Sequence, residues 1–503
     1  MNNGVGKGAV VLVVSGLICK LFGGLFRLPL TNIVGIEGIA VYQMVMSIYS
    51  LALVFVSGGV TNSLSRLVSG ARAKGDKGAI GAYFRNALLF SLSLSALFAV
   101  IFLLFSSQIS SLQGASEGSA SYKLLAILLP LGGIVGVSRG LLQGYGNMTP
   151  TAVSQIIEQI VKFGFGLIFA YLFKSQGIAG GVFGAVLGIT ISEVFACLYL
   201  GLIIAKKERV KTYQSYKREF YKATLPLTFG GVVLPLTHAI ESLFIVKLLL
   251  RSGLSESAAT SIYGIQTGVV SAILNFPLII SLAVASSLLP NLSFLAEKGE
   301  KEKQTQLIAK SMHTMWFLLI PIVGGLMAVS GRLYSFVYPA AMMGYEQIAV
   351  QLTFVSGIST ICTALMQQLV SILQANGYFK HSLIFYSIGG ISKLAILFIV
   401  APIPGVSVFA IAISSIVLSC TVSICVIIKL GNLIKLSLFD ILLPLLSTTV
   451  VYMVAKIILS LIGGFAGLAL AIIVGVSVYF ALAFPLTSKY ISFFTDKLKK
   501  RAE

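Results

Sequence analysis

Long apolar runs follow one another through this chain of 503 residues, and that succession constrains the fold more than any motif does. A bilayer core about 30 Å thick is crossed by a helix of roughly 20 apolar residues. Read against that length, the runs give fourteen spans, at about 8–30, 38–62, 84–106, 123–145, 151–173, 178–204, 223–250, 261–288, 307–330, 347–373, 380–401, 405–429, 438–460 and 464–488. With 57% hydrophobic and only 10% charged residues, at mean hydropathy +0.98, a water-soluble fold would have no polar exterior. Strand-type alternation is absent, which removes a β-barrel from contention. The fold class expected is therefore an all-α membrane protein of about 14 transmembrane helices.

A net charge of +20 invites a nucleic-acid reading, but the basic residues sit in short loops between apolar runs. Loops after even-numbered spans carry Arg72, Lys74 and Lys77, then Lys206 through Lys222, then Lys298, Lys301 and Lys303, whereas loops after odd-numbered spans carry few. That is the positive-inside pattern of a multi-pass protein of the cytoplasmic membrane with both termini cytoplasmic, and nucleic acid is not an expected partner. The opening MNNGVGKGAV runs directly into a span without a small-residue cleavage site, so removal of a signal peptide is not expected. Cys19, Cys197, Cys362, Cys420 and Cys425 lie in apolar runs without metal spacing and read as small hydrophobes. Gly4, Gly6 and Gly8 around Lys7 lack the spacing and the Ser or Thr of a phosphate loop, so no cofactor is expected.

An internal repeat organises the chain. LQGYGNMTPTAVSQIIEQIVKFG from Leu142 echoes LQANGYFKHSLIFYSIGGISKLA from Leu373, pairing Gln143 with Gln374 and Lys162 with Lys393. The basic loop from Leu64 likewise resembles the one from Ser287. Six spans are an even number, so both copies enter the membrane from the same side, as in two-lobed transporters. The expected organisation is two pseudo-symmetric six-helix lobes, 1–204 and 223–429, joined by a basic linker at 205–222. Two further helices and a basic tail fill 430–503. No loop is large enough for an extracellular or catalytic domain, which argues against an enzyme.

Charges inside spans are costly, about 3 kcal/mol or more each on insertion scales, and such residues usually face a bundle interior or watery cavity. Lys20, Gly23, Gly24 and Arg27 recur at i, i+3, i+4 and i+7, placing two cations on one helix face. Arg66 ends the second span, and the repeat puts Lys247 near the equivalent of Arg27, with Tyr42 and Tyr263 as register marks. Lys20, Arg27, Arg66 and Lys247 are the candidate lining of a cationic cavity, because arginine forks and lysine point charges suit diphosphates. The competing reading for Arg27 and Arg66 is an interface anchor. Arg139, Glu158 and Lys162 form either a structural salt bridge or a gate, Glu158 and Lys162 being an i, i+4 pair. Glu193 and Glu241 are candidate ion-coupling acids, with pairing of Glu241 to His238 or Lys247 as the alternative. Pro226, Pro235, Pro277 and Pro321 are expected to bend spans, and GGVFGAVLG at Gly180–Gly188 to bring helices close.

The stretches AVYQMVMSIYSLALVFVSGGVTNSLSRLVS and LLQGYGNMTPTAVSQIIEQIVK, with RLPLTNIVG after Arg27, resemble the stage V sporulation protein B group of polysaccharide and lipid-linked oligosaccharide exporters. That group sits beside lipid II flippases in the multidrug/oligosaccharidyl-lipid/polysaccharide exporter superfamily. The resemblance implies a fourteen-helix, two-lobe fold that moves an undecaprenyl-diphosphate-linked sugar to the outer leaflet by alternating access. Spore cortex precursor would be its cargo and cell-wall synthesis machinery its protein partner. It further implies roles for Arg27 and Arg66 in the cavity, and a groove for the polyprenyl tail formed with the last two spans. Span 8 of this chain has no basic residue where that branch uses one. The rivals are a cation-coupled drug antiporter of the same superfamily and a membrane glycan-polymerising enzyme. Membrane cations outnumber acids here, which favours an anionic cargo.

Overall fold

The computed structural model describes residues 3–206, 216–434 and 438–502; half of the linker expected at 205–222, residues 207–215, lies outside the described residues. Among the described residues every regular element is helical. They are α1 (Asn3–Leu53), α2 (Gly59–Ala73), α3 (Lys77–Leu112), α4 (Ser119–Gly144), α5 (Thr149–Phe173), α6 (Gly177–Ala205), α7 (Lys217–Leu250) and α8 (Glu256–Gly264). There follow α9 (Ser271–Glu297), α10 (Lys301–Val337), α11 (Glu346–Ala375), α12 (Phe379–Val400), α13 (Ala410–Leu430), α14 (Leu438–Leu461) and α15 (Gly464–Ala502).

Twelve helical segments are long and apolar enough to cross a membrane, among the described residues. Two of them, Val14–Ala73 with 60 residues and Thr149–Ala205 with 57, are far too long for one crossing at 1.5 Å per residue. Each is broken near its middle by a glycine with positive φ. Gly35 (φ 76, ψ 178) interrupts α1, and Gly177 (φ 79) separates α5 from α6. Counted as two crossings each, these segments bring the total to the fourteen expected. Two π-helical turns, Val54–Gly58 and Ile265–Val270, lead into α2 and α9. The first coincides with Ser57, Gly58 and the approach to Gly59, where α7 comes so close that any side chain on Gly59 would meet Thr228.

The described residues pack as two compact units: Met1–Ala272 with Lys393–Ala410, and Ile273–Ser392 with Ile411–Glu503. Packing thus groups α7 with the first six spans, whereas the repeat assigns it to the second lobe; the repeat describes sequence register and the units describe contact. In lipid, apolar side chains gain little by leaving the bilayer, so helices associate through close backbone approach and shared polar groups. Both devices operate in the first unit. A Cβ on Gly184 would meet the Phe169 backbone, and one on Gly188 the Gly166 backbone, so GGVFGAVLG brings α6 against α5. Hydroxyls and amides link α1 and α2 to α7 and the following π-turn, through Ser47–Ser242 at 2.6 Å, Ser63–Thr224 at 2.8 Å and Gln43 donating to the Thr267 carbonyl at 2.7 Å. In the second unit, Tyr334 bonds Thr353 at 2.6 Å, and Arg332 donates to the Leu459 carbonyl at 3.0 Å.

Candidate functional site

Every residue singled out for the cavity or the gate lies in the first unit. Arg27 is half-buried on α1, beside fully buried Phe26; its carbonyl accepts from Thr31 at 2.8 Å. Lys20 on the same helix, Arg66 on α2 and Lys247 on α7 are exposed. Lys162 is not paired with Glu158 as its spacing on α5 suggests. Its ammonium lies 5.1 Å from the centroid of the Phe26 ring, a cation–π placement that ties α5 to α1 next to Arg27.

Glu158 pairs instead with Arg139 of α4, Nη2 to Oε2 at 2.9 Å, while Arg139 Nε donates to Ser154 Oγ at 3.0 Å. The guanidinium wins this place because its fork serves an acid and a hydroxyl at once, which an ammonium on Glu158's own helix cannot do as rigidly. Glu193 of α6 is buried within electrostatic reach of Glu158, Arg139 and Lys162, and its Oε2 has no hydrogen-bond partner among the described residues. Tyr49 Oη is likewise buried and unpartnered, within reach of Glu193.

A second charged centre joins α7 to α12. Glu241 Oε2 lies 2.5 Å from Lys393 Nζ and 3.8 Å from His238 Nδ1. The expected intrahelical partners are thus half right: His238 is adjacent, but the close cation comes from another helix, and Lys247 projects to the surface. Lys393, 1% exposed, is among the largest fully buried side chains. Tyr263, buried on α8, is within electrostatic reach of both Glu241 and Arg27. Lys393 was visible in the sequence as the repeat partner of Lys162. The signal that could have promoted it is an unpaired acid, Glu241, at membrane depth elsewhere in the chain.

The second unit holds an apolar groove of about 480 Å³ between α10, α14 and α15, lined by residues such as Phe317, Leu326, Val451, Val476 and Phe480. One helical turn before Phe317, His313 Nδ1 lies 3.1 Å from Asp440 Oδ1 of α14, a pair the sequence reading did not single out. Among the described residues no cluster of His, Cys, Asp and Glu has the arrangement of a metal site.

Comparison with known proteins follows this geometry. The model of a family described as polysaccharide biosynthesis protein matches residues 5–296. Stage V sporulation protein B of Bacillus subtilis (strain 168) is 26% identical over 425 residues, 81% of this chain and 80% of the relative. Lipid II flippase MurJ of the same organism is 25% identical over 433 residues, 79% and 77% of the two chains. A solved structure described as lipid II flippase MurJ in an inward closed conformation superposes with TM-score 0.75 at 15% identity, covering 96% of this chain and all of the other. An inward-facing multidrug resistance MATE family transporter of the MOP superfamily gives TM-score 0.64 at 16% identity over 84% and 98% of the two chains. These structural likenesses establish the fold.

Proposed function

The chain belongs to the polysaccharide biosynthesis protein family, and from that premise we propose that it is a flippase of the MOP superfamily, moving an undecaprenyl-diphosphate-linked oligosaccharide across the cytoplasmic membrane. The observation that carries this reading is the match, over about four fifths of both chains, to stage V sporulation protein B. The cargo proposed is a peptidoglycan precursor of the lipid II type, in the setting of spore cortex, with cell-wall synthesis machinery as the protein partner. Transport rather than catalysis is what the names of lipid II flippase MurJ and the MATE family transporter state.

Physically, a diphosphate and its sugars must cross a layer that cannot solvate them. In this proposal cations of both lobes, Arg27 foremost with Arg66 and Lys20 of the first and Lys247 of the second, line a hydrated chamber that offsets the lost hydration. Lobes at 1–204 and 223–429 would rock to open it to each side in turn. An inside-negative potential favours outward movement of an anion by about 2.3 kcal/mol per charge per 100 mV. The apolar groove at α14 and α15 suits a polyprenyl chain, having no polar group that hydrocarbon would leave unsatisfied.

The test is Arg27→Ala. Lipid II exposure in a depletion strain rescued by the variant should be lost, with expression and membrane insertion intact; normal exposure would remove Arg27 from the mechanism. Native mass spectrometry of the purified protein should show a co-purifying polyprenyl-diphosphate glycan.

One observation favours a second reading. Glu193 is a buried carboxylate with an unpartnered oxygen, the kind of group that takes up a proton or cation, and MATE transporters share the fold. A cation-coupled antiporter would lower drug accumulation in a pump-deficient host, and Glu193→Gln would abolish that efflux.

A further inference from the structure

The repeat allows two equivalent loops to be compared atom by atom, and they differ in one respect. At the start of α3 the chain runs Lys74-Gly75-Asp76-Lys77, and at the start of α10 it runs Lys298-Gly299-Glu300-Lys301. Gly75 and Gly299 both have φ 70. Asp76 N–H donates to the Ala71 carbonyl and Glu300 N–H to that of Leu295, while Lys77 N–H reaches Gly75 and Lys301 N–H reaches Gly299. The facing turns match as well: Gly146 N–H bonds the Gln143 carbonyl, and Gly377 N–H bonds that of Gln374. Superposing these bonds pairs Arg72 with Ala296, Ile80 with Gln304, Ala82 with Gln306 and Tyr145 with Asn376.

In the first copy the space between loop and turn is filled by the chain itself. The Arg72 guanidinium donates to the Tyr145 carbonyl. Tyr216, just before α7, donates to Asp76 Oδ2 at 3.0 Å and packs 5.3 Å from the Tyr83 ring, and Phe220 is fully buried in the cluster behind. The Ala79 N–H first, and the Tyr216 phenol second, hold the Asp76 carboxyl below its usual range.

In the second copy that space is a pit of about 920 Å³, lined by Ala296, Lys301, Gln304, Gln306, Asn376 and Lys429 among others. The strap is gone, because Ala296 stands where Arg72 reaches across. The lining has become more polar, with buried Gln304 and exposed Gln306 where the first copy has Ile80 and Ala82. Gln304 is 2% exposed, and its Nε2 donates to Asn376 Oδ1 at 3.0 Å. Lys429 lies 5.0 Å from the Tyr378 ring at the rim.

We propose that this pit is a binding site for a phosphorylated sugar. The amides of Gln304, Gln306 and Asn376 and the Thr305 hydroxyl offer the paired donors and acceptors that sugar hydroxyls need. Lys301 and Lys429 outnumber the one acid of the lining, Glu302, and supply the cations that a phosphate needs. All of these residues belong to the second unit. It lies among the basic loops, on the face proposed as cytoplasmic, where it would sense a soluble sugar phosphate or hold the headgroup of a lipid-linked one.

The experiment is isothermal titration of the purified full chain in detergent with N-acetylglucosamine 1-phosphate. Parallel arms use free N-acetylglucosamine, inorganic phosphate and the same sugar on a short prenyl diphosphate. Saturable binding is expected for the sugar phosphate, at least about tenfold tighter than for either half alone. Tighter binding of the soluble form identifies a sensor, and tighter binding of the prenyl form identifies a headgroup site. Gln304→Ile and Ala296→Arg restore the residues of the first copy, and each should weaken binding about tenfold or more while the melting temperature stays near that of the parent. Lys429→Met, at an exposed position, gives the same reading should either of those fail to fold. The proposal is overturned by absence of saturable binding, by phosphate alone binding as tightly, by tetraglutamate competing equally well, or by titrations that these variants leave unchanged.

Discussion

Arg139–Glu158 and Glu241–Lys393 join helices of one unit at similar lengths, 2.9 and 2.5 Å, yet their surroundings differ. The first pair keeps 16% and 20% of its side-chain surface exposed, and Arg139 divides its donors between Glu158 and Ser154. The second keeps only 2% and 5%. An ion pair with access to water can open at little cost, since each charge regains hydration as it separates. A sealed pair cannot, because separation strands two charges where nothing solvates them. The difference teaches that Arg139–Glu158 can open at less cost than Glu241–Lys393. Glu241, by contrast, is already neutralised by a cation built into the chain, which makes it a poor candidate for coupling to an external ion. That leaves Glu193 as the membrane acid best placed for such a role.

The comparison breaks most visibly at Lys393. Lys393→Met should cost about 3–5 kcal/mol, read as thermal stability in detergent, because Glu241 is left buried and uncompensated. Adding Glu241→Gln should recover most of that loss, since a neutral amide against a methionine strands no charge. Failure of the double variant to recover would mean that Lys393 holds something besides Glu241. Arg139→Gln should cost less, about 1–2 kcal/mol, because Glu158 can turn toward water. Its larger effect is expected on transport rate, and a variant that is destabilised but transports normally would reduce the pair to a structural tie.

The succession of membrane-length helices was legible in the sequence because a bilayer imposes a single length on every crossing. The glycines of GGVFGAVLG were legible too, since close helix approach needs small residues at fixed spacing and those are read locally. Partners of charges were not. Spacing on α5 offers Lys162 to Glu158, but Arg139, on a neighbouring helix, takes that place with a fork that also serves Ser154, and Lys162 turns to the Phe26 ring. Glu241 and Lys393 meet across 152 positions of sequence, beyond any periodic signal. The pit beside α10 is visible only once the two copies are laid over one another, because its meaning lies in Arg72 becoming Ala296 and Ile80 becoming Gln304. His313 and Asp440 escaped notice for the same reason as Lys393: each is a single polar residue in an apolar run, and only the fold places them 3.1 Å apart.

The smallest expected effect sharpens the comparison from the other side. His238 stands 3.8 Å from Glu241 with 57% of its side chain exposed, so it touches the sealed pair while remaining in contact with the outside. If Lys393 alone satisfies Glu241, His238→Gln should change stability by no more than about 0.5 kcal/mol, the range of ordinary surface substitutions. The same change made in a Lys393→Met background should be larger, because the His238 ring nitrogen then stands 3.8 Å from a stranded acid. A double-mutant cycle measures that difference directly, and a coupling of about 1 kcal/mol or more would show His238 acting as the reserve partner. A coupling near zero would leave Glu241 dependent on Lys393 alone.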